Sequence, residues 1–290
     1  MQEEKKPLTV GYYLVAFIDV LGQKERLGEL ADLPTTTDTA GHKKFIEGLK
    51  DTYGTIEGFR RTFERFFQGF LKGPQISEIP EPLRVEFMAL RAMSVKTQRF
   101  ADTVLLYAPL RNDVAKAPIN GVYAVLLACG ASYLTMLAGR HACRGGIDVG
   151  VAFEPHDGEI YGPALFSAYD LERTVAQYPR IAIGQSLIDY LTHIAQAPGD
   201  DPVARYSRKL ANRCLGLLAR DIDGCPFLDV LGEGYDHAVG GPRPLDQIVP
   251  QAYAFVIEEA QRAKDAKNSK LAFRYTLLRQ YFEARHPPPG

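Results

Sequence analysis

Residues 12–27 read YYLVAFIDVLGQKERL. From Tyr12 to Val20 the run is aromatic, aliphatic and β-branched apart from Asp19, and Gly22 closes it. That pattern predicts a short buried strand. A carboxylate is costly to take out of water unless something pairs with it, so Asp19 at the end of such a strand asks for a partner. A second strand pattern holds a matching case. In VKTQRFADTVLLYAPL, residues 95–110, Asp102 interrupts another apolar run. If the two strands are neighbours the acids meet, and like charges in contact need a counter-ion. A pair of divalent metals supplies one, because Mg²⁺ binds one or two carboxylates together with substrate phosphates. Two metals held this way activate an attacking hydroxyl and neutralise a leaving pyrophosphate. The other reading is that each acid caps its own strand and faces solvent. Spacing alone does not choose between them.

The surrounding chain alternates strand and helix signals. Asp38 or Thr39 is placed to cap a helix whose apolar positions include Phe59, Phe63, Phe66, Phe67 and Phe70. The proline- and glycine-rich stretch Gly73–Pro82 predicts a loop. The uncharged run from Ala117 to Gly139 is long enough to raise the membrane question. Pro118, Asn120, Ser132 and Thr135 lie within it and no aromatic or basic belt flanks it, so it predicts a buried helix instead. CRGGIDVGVAF (Cys143–Phe153) predicts a glycine-punctuated strand, followed by the turn EPHDGEIYG and a helix opening near Pro163. PRIAIG predicts a strand, QSLIDYLTHIAQ an amphipathic helix, and LLARDIDGCPFLDVLG a hairpin turning at Asp223-Gly224. The expected organisation is one α+β domain over 1–245, with a helical insertion at 28–83, and a helical C-terminal extension over 246–290.

Composition excludes several classes. The 290 residues are 46% hydrophobic and 24% charged with a formal net charge of -1, so no basic field points to a nucleic-acid partner. That also argues against a palm-type polymerase, which would share the two strand-borne acids. Cys129, Cys143, Cys214 and Cys225 have no CxxC spacing, as expected for reduced thiols in a cytoplasmic protein. The start MQEEKKPL has no apolar core of a secretory signal. No GxSxG elbow or Walker loop is present. Gly145, Gly146 and Gly150 are expected to be strand glycines that let backbones approach.

The motifs FIDVLG, the K…FAD hairpin, RGGIDVGVAF and IYGPALFSAYDLE occur in an order that resembles the class III nucleotide cyclases, and in particular the pyrimidine cyclases of the bacterial Pycsar antiphage system. The matching blocks span about Tyr12 to Gly184. The resemblance implies a class III cyclase-like, ferredoxin-like palm sheet flanked by helices. It implies that Asp19 and Asp102 hold two divalent ions, Mn²⁺ or Mg²⁺, with the Ile18 or Val20 backbone carbonyl beside the first. Lys96 and Glu159 fall where the family's purine enzymes read the base; their alternatives are a solvated strand charge and a turn residue. The chain departs from the pattern where the family places a ribose-orienting asparagine and a phosphate-stabilising arginine, for here those positions hold Phe166 and Asp170. Ser167 and Arg173 are the nearby substitutes, with Arg180 a further one, whereas Arg144 aligns with a structural arginine.

The activity implied is conversion of a pyrimidine nucleoside triphosphate, UTP before CTP, to the 3',5'-cyclic monophosphate and pyrophosphate. A catalytically degenerate, nucleotide-binding relative is the alternative. The resemblance also implies a head-to-tail homodimer with shared sites and a separate effector activated by cUMP during phage infection, while charge and the flanks of the apolar run give the expectation of no nucleic-acid partner and no membrane. The phenylalanine-rich insertion is expected either to cover the core as a helix pair or to serve sensing or dimer support.

Overall fold

Successive side chains of a strand point to opposite faces, so β1 (Val10–Val20) divides its apolar residues between two layers. Leu14, Ala16, Ile18 and Val20 enter the main core, while Tyr13 and Val15 enter a smaller one on the other face. The computed structural model describes residues 10–35, 37–71, 81–84, 94–110, 119–240 and 247–285. Most of the loop expected at Gly73–Pro82, the N-terminal start and the proline-rich tail lie outside these residues.

Seven strands form one mixed sheet in the order β2-β3-β1-β4-β5-β7-β6. The other strands are β2 (Lys96–Phe100), β3 (Thr103–Pro109), β4 (Cys143–Phe153), β5 (Ile181–Ile183), β6 (Leu218–Arg220) and β7 (Pro226–Leu228). The β4–β5 pair is parallel and the remaining pairs are antiparallel. Gly224, with φ +77°, turns the β6–β7 hairpin, as the Asp-Gly step leads one to expect. The protein is therefore α+β.

Short α1 (Gln23–Gly28) follows β1, and α2 (Thr39–Leu71) is a single helix of 33 residues, about 50 Å long at 1.5 Å per residue. Its buried side chains Ile56, Phe59, Phe63 and Phe67 recur three or four apart and cover α3 (Ile119–Ala138). The phenylalanine face is thus core, although one long helix does the covering where a helix pair was expected. The apolar stripe in the second half overrides the weak propensity of the glycines along it. α3 is long and apolar enough to cross a membrane, and 89% of its most apolar window is buried inside the protein. A helix apolar all round belongs at the centre of a core.

On the other face, α4 (Pro163–Asp170) runs into a π turn at Leu171–Val175. It lies close against β4 because β4 offers almost no side chain there. A Cβ at Gly146 would stand 2.2 Å from the Ala168 carbonyl oxygen, and one at Gly150 would stand 3.3 Å from Ala164. The remaining helices are α5 (Gln185–Ala195), α6 (Pro202–Leu215), α7 (Glu233–Ala238), α8 (Ile248–Asp265) and α9 (Ser269–Arg285). Val249, Phe255 and Val256 of α8 and Tyr275, Leu278 and Phe282 of α9 share the main core with the sheet. Asp229, just after β7, accepts from Tyr281 Oη at 2.9 Å and pairs with Arg285 at 2.6 Å, which fixes the C-terminal end of α9. Cys129, Cys143 and Cys214 are buried free thiols.

Candidate active site

Asp19 continues the β1 face of Tyr13 and Val15, but sits at the strand end beyond the cover of α4. Its neighbours across the sheet are Thr103 on β3 and Arg144 on β4. Asp102 precedes Thr103 in the hairpin from β2, where Ala101 takes φ +51°. The Val20 N–H donates to the Asp102 carbonyl at 2.9 Å, so the hairpin tip is tied to the residue after Asp19. The sheet therefore brings together the two acids that the sequence singles out. Burial pushes the Asp19 carboxyl up, and the Asp102 charge pushes it further, against the pull of Arg144.

A third carboxylate joins them. Arg144 Nε lies 2.5 Å from Glu172 Oε1 and 3.4 Å from Asp19 Oδ2. Glu172 comes from the π turn and its side chain is only 5% exposed. Burial raises it to about 7; the Asp19 and Asp102 charges add to the rise, and Arg144 opposes it. Sequence reasoning missed Glu172, although it falls four residues after Ala168 and eight after Ala164, the buried positions of α4. That spacing is a readable signal for the sheet-facing side of a helix.

Both aspartates line a cleft of about 690 Å³ that residues of α8 and α9 also line. Six arginine and lysine residues line it (Arg26, Arg140, Arg144, Arg262, Lys270 and Arg274) against four acids (Asp19, Glu29, Asp102 and Glu259). Among the lining side chains the cations outnumber the acids by two, with Glu172 beside Arg144 and Glu258 beside Arg140 just behind them. The C-terminal cations escaped sequence reasoning because they lie far along the chain from both acids.

Among the described residues no three His, Cys, Asp or Glu side chains form a metal cluster. The aspartate pair nonetheless fits a hard divalent ion. Its donors are oxygens, the Asp19 carboxyl is disfavoured as an anion even with Arg144 at 3.4 Å, and such ions complete their shell with water and phosphate oxygens. Ile18 and Val20 flank Asp19 with buried side chains and contribute only backbone.

The other predicted residues lie elsewhere. Lys96 pairs with Glu154 at 2.5 Å and Asp157 at 2.7 Å, which hold its ammonium above the usual range. Tyr13 Oη donates to the same Glu154 at 3.4 Å. Lys96 is opposite Tyr107 and Tyr107 opposite Val15, four residues or about 13 Å along β1 from Asp19, and its Glu154 partner lies toward the Val10 end, so one chain keeps the Lys96 ammonium apart from the acid pair. Glu159 is exposed in the turn before α4. Ser167 Oγ donates to buried Asp148 Oδ2 at 2.5 Å, while Asp148 Oδ1 accepts from the Leu187 N–H of α5. Arg173 is exposed and lies over the Tyr169 ring at 5.9 Å. Arg180 is buried and paired with Asp221 and Asp223, bracing the β6–β7 hairpin. Phe166 is 54% exposed and meets the exposed Tyr161 ring edge-on at 6.2 Å.

No protein-family model and no curated protein matches the chain. Among solved structures, an adenylyl cyclase, CyaB from P. aeruginosa, is similar at 14% identity and a TM-score of 0.41, over 64% of this chain and 83% of that one.

Proposed function

We propose that this chain is a nucleotide cyclase acting on a pyrimidine nucleoside triphosphate, UTP before CTP. The observation that carries the proposal is the pair of sheet-borne acids, Asp19 and Asp102, facing a cleft with an excess of arginine and lysine. Acids suited to divalent ions beside cations suited to phosphate are what a metal–polyphosphate substrate requires. The pyrimidine preference rests on the sequence resemblance.

In the reaction the ribose 3'-oxygen attacks the α-phosphorus, the bond from that phosphorus to the oxygen bridging the β-phosphate breaks, and pyrophosphate leaves. The 3'-hydroxyl proton passes to solvent. Divalent ions, held by Asp19 and Asp102 with the Ile18 or Val20 carbonyl, would supply Lewis-acid activation of the hydroxyl and charge neutralisation. The chain's own part is positional. β1 is hydrogen-bonded on both sides, so Asp19 is held by a rigid support. Arg144, itself anchored by Glu172, restrains the Asp19 carboxylate from the neighbouring strand.

The separation of Lys96 from Asp19 supports a homodimer in which one chain supplies the acids and the other the base-reading and α4 groups: Lys96, Glu159, Ser167 and Arg173. The exposed Tyr161–Phe166 pair lies on α4 and the turn before it, where such a partner would dock. Incubating the purified protein with UTP, CTP, ATP or GTP and Mn²⁺, then identifying cyclic product and pyrophosphate, tests the reading. Conversion of ATP alone refutes the pyrimidine preference. Mixing inactive Asp19→Ala and Arg173→Ala chains should restore part of the activity; no restoration refutes the shared site or the role of Arg173.

Phe166 and Asp170 favour a second reading, a non-catalytic nucleotide binder, because neither side chain serves ribose or phosphate. Turnover that disappears in Asp102→Ala excludes it. The role in antiphage defence, through a cUMP-activated effector, rests on the resemblance. Loss of phage protection in cells carrying Asp102→Ala tests it, and retained protection refutes it.

A further inference from the structure

We propose that the α8–α9 hairpin forms an anion subsite for the polyphosphate tail of the nucleotide, with Arg274 and Lys270 as its principal contacts. The inference deepens the cyclase reading and rests on it for the identity of the ligand. Both side chains line the cleft that Asp19 and Asp102 also line. Four residues apart on α9, they stand one above the other on the same helical face.

Arg274 is the telling residue. It is half-buried and makes no ion pair or hydrogen bond among the described residues. Burial, and then the Arg144 charge, push its guanidinium below the usual range, while Glu172 partly offsets them. The neighbouring cleft cations already have carboxylates, for Arg140 pairs with Glu258 at 2.7 Å and Arg262 with Glu259 at 2.5 Å. A partly desolvated guanidinium with no ion pair among the described residues is a cost to the fold that a bound anion removes. Arg274 and Lys270, which form no ion pair among the described residues, present their charges to such an anion.

The chemistry of the pair selects phosphate. A guanidinium forks onto two oxygens of one phosphate, and an ammonium serves as a point charge for the next. Lining the same cleft as Asp19 and Asp102, these cations would counter the repulsion that the acids exert on a polyphosphate. They also offer, from the same chain, what Phe166 and Asp170 do not.

The test is calorimetric binding of inorganic tripolyphosphate to the full chain, first in EDTA and then with Mg²⁺. Wild type should bind in both. Arg274→Ala and Lys270→Ala should each weaken binding by about tenfold or more, the loss usual for a charge-assisted hydrogen bond, and Arg274→Lys should recover part of it. Lys270 is exposed, so Lys270→Ala keeps the test sound if Arg274→Ala disturbs packing. Absence of tripolyphosphate binding, or unchanged affinity in both alanine variants, overturns the subsite. Binding that weakens as stated while no nucleotide yields a cyclic product leaves the subsite standing and sinks the cyclase reading. Cyclic product formed with unchanged KM and unchanged tripolyphosphate affinity in both alanine variants does the reverse.

Discussion

Glu172→Gln should change the pH dependence of stability by an amount the structure fixes. The buried Glu172 carboxyl is raised to about 7 from an ordinary 4.5, by burial first and then by the Asp19 and Asp102 charges left over by Arg144. Below 4.5 it is protonated whether the chain is folded or not, and it contributes no pH dependence. Between 4.5 and 7 the unfolded chain releases the proton while the native protein keeps it, so stability falls as pH rises. Above 7 both states are ionised and the full penalty stands. At 1.36 kcal/mol per pKa unit, the gap corresponds to about 3 kcal/mol. Glutamine cannot ionise and is close in shape. Urea unfolding of both proteins in EDTA, at about pH 4.5 and about pH 8.5, separates this term from any fixed packing cost. Relative to wild type, Glu172→Gln should gain about 3 kcal/mol between the two conditions. Asp19 titrates in both proteins, and its repulsion of Glu172 is already contained in the raised Glu172 value, so it adds nothing further to the gain. Parallel pH profiles for the two proteins would refute the reasoning.

Gly146→Ala should cost about 1 to 3 kcal/mol, since its Cβ would stand 2.2 Å from the Ala168 carbonyl oxygen and 2.5 Å from Leu171 Cβ. Thermal unfolding checks this, and an unchanged Tm contradicts the close packing of α4 on β4. Glu57 on α2 is held down to about 2, by hydrogen bonds from Arg60 and then Arg61, so its contribution is present above 4.5 and disappears as pH falls through about 2. Glu57→Gln should therefore flatten the acid limb of stability in that window; urea midpoints that keep the wild-type slope argue against it. Asp229→Ala leaves Arg285 and Tyr281 without their shared acceptor. It should cost about 1 to 3 kcal/mol for a partly exposed pair and weaken tripolyphosphate binding without touching the cleft. Wild-type affinity in that variant would show that the anchoring of α9 does not matter to it.

The strands that carry the acids were legible because their chemistry is local. Asp19 and Asp102 stand out as charges inside apolar runs, and the register of β1 with β3 then makes them neighbours. The periodic phenylalanines of α2 likewise announce a core face, since Phe59, Phe63 and Phe67 repeat at helical spacing. What those local signals leave out is the length of the helix. The glycines along it argue for breaks, and only packing on α3 decides that α2 continues.

The rest of the site depends on contacts between distant segments, which periodicity does not encode. Arg144 reads as a strand charge until Glu172 arrives beside it, and Glu172 arrives only because Gly146 lets the backbone of α4 and its π turn settle on β4. Lys270 and Arg274 read as solvated helix charges until α9 folds back against the sheet through Tyr275, Leu278 and Phe282. Burial then sets Arg274 apart from the salt bridges along α2. There Arg60 and Arg61 share Glu57 at 2.6 and 2.8 Å, and such pairs on one helix contribute little beyond tenths of a kcal/mol, about 0.3 to 0.5 each. Arg274 has been carried into the protein with no ion pair among the described residues, and the Glu172 charge only partly offsets its burial. The core accounts for α9 being there through its apolar face; it does not account for an arginine of the same helix lining the cleft that the acid pair also lines. A ligand that is negative toward Arg274 and carries or attracts cations toward Asp19 and Asp102 satisfies both walls of the cleft at once, and a metal-bound polyphosphate has that charge order.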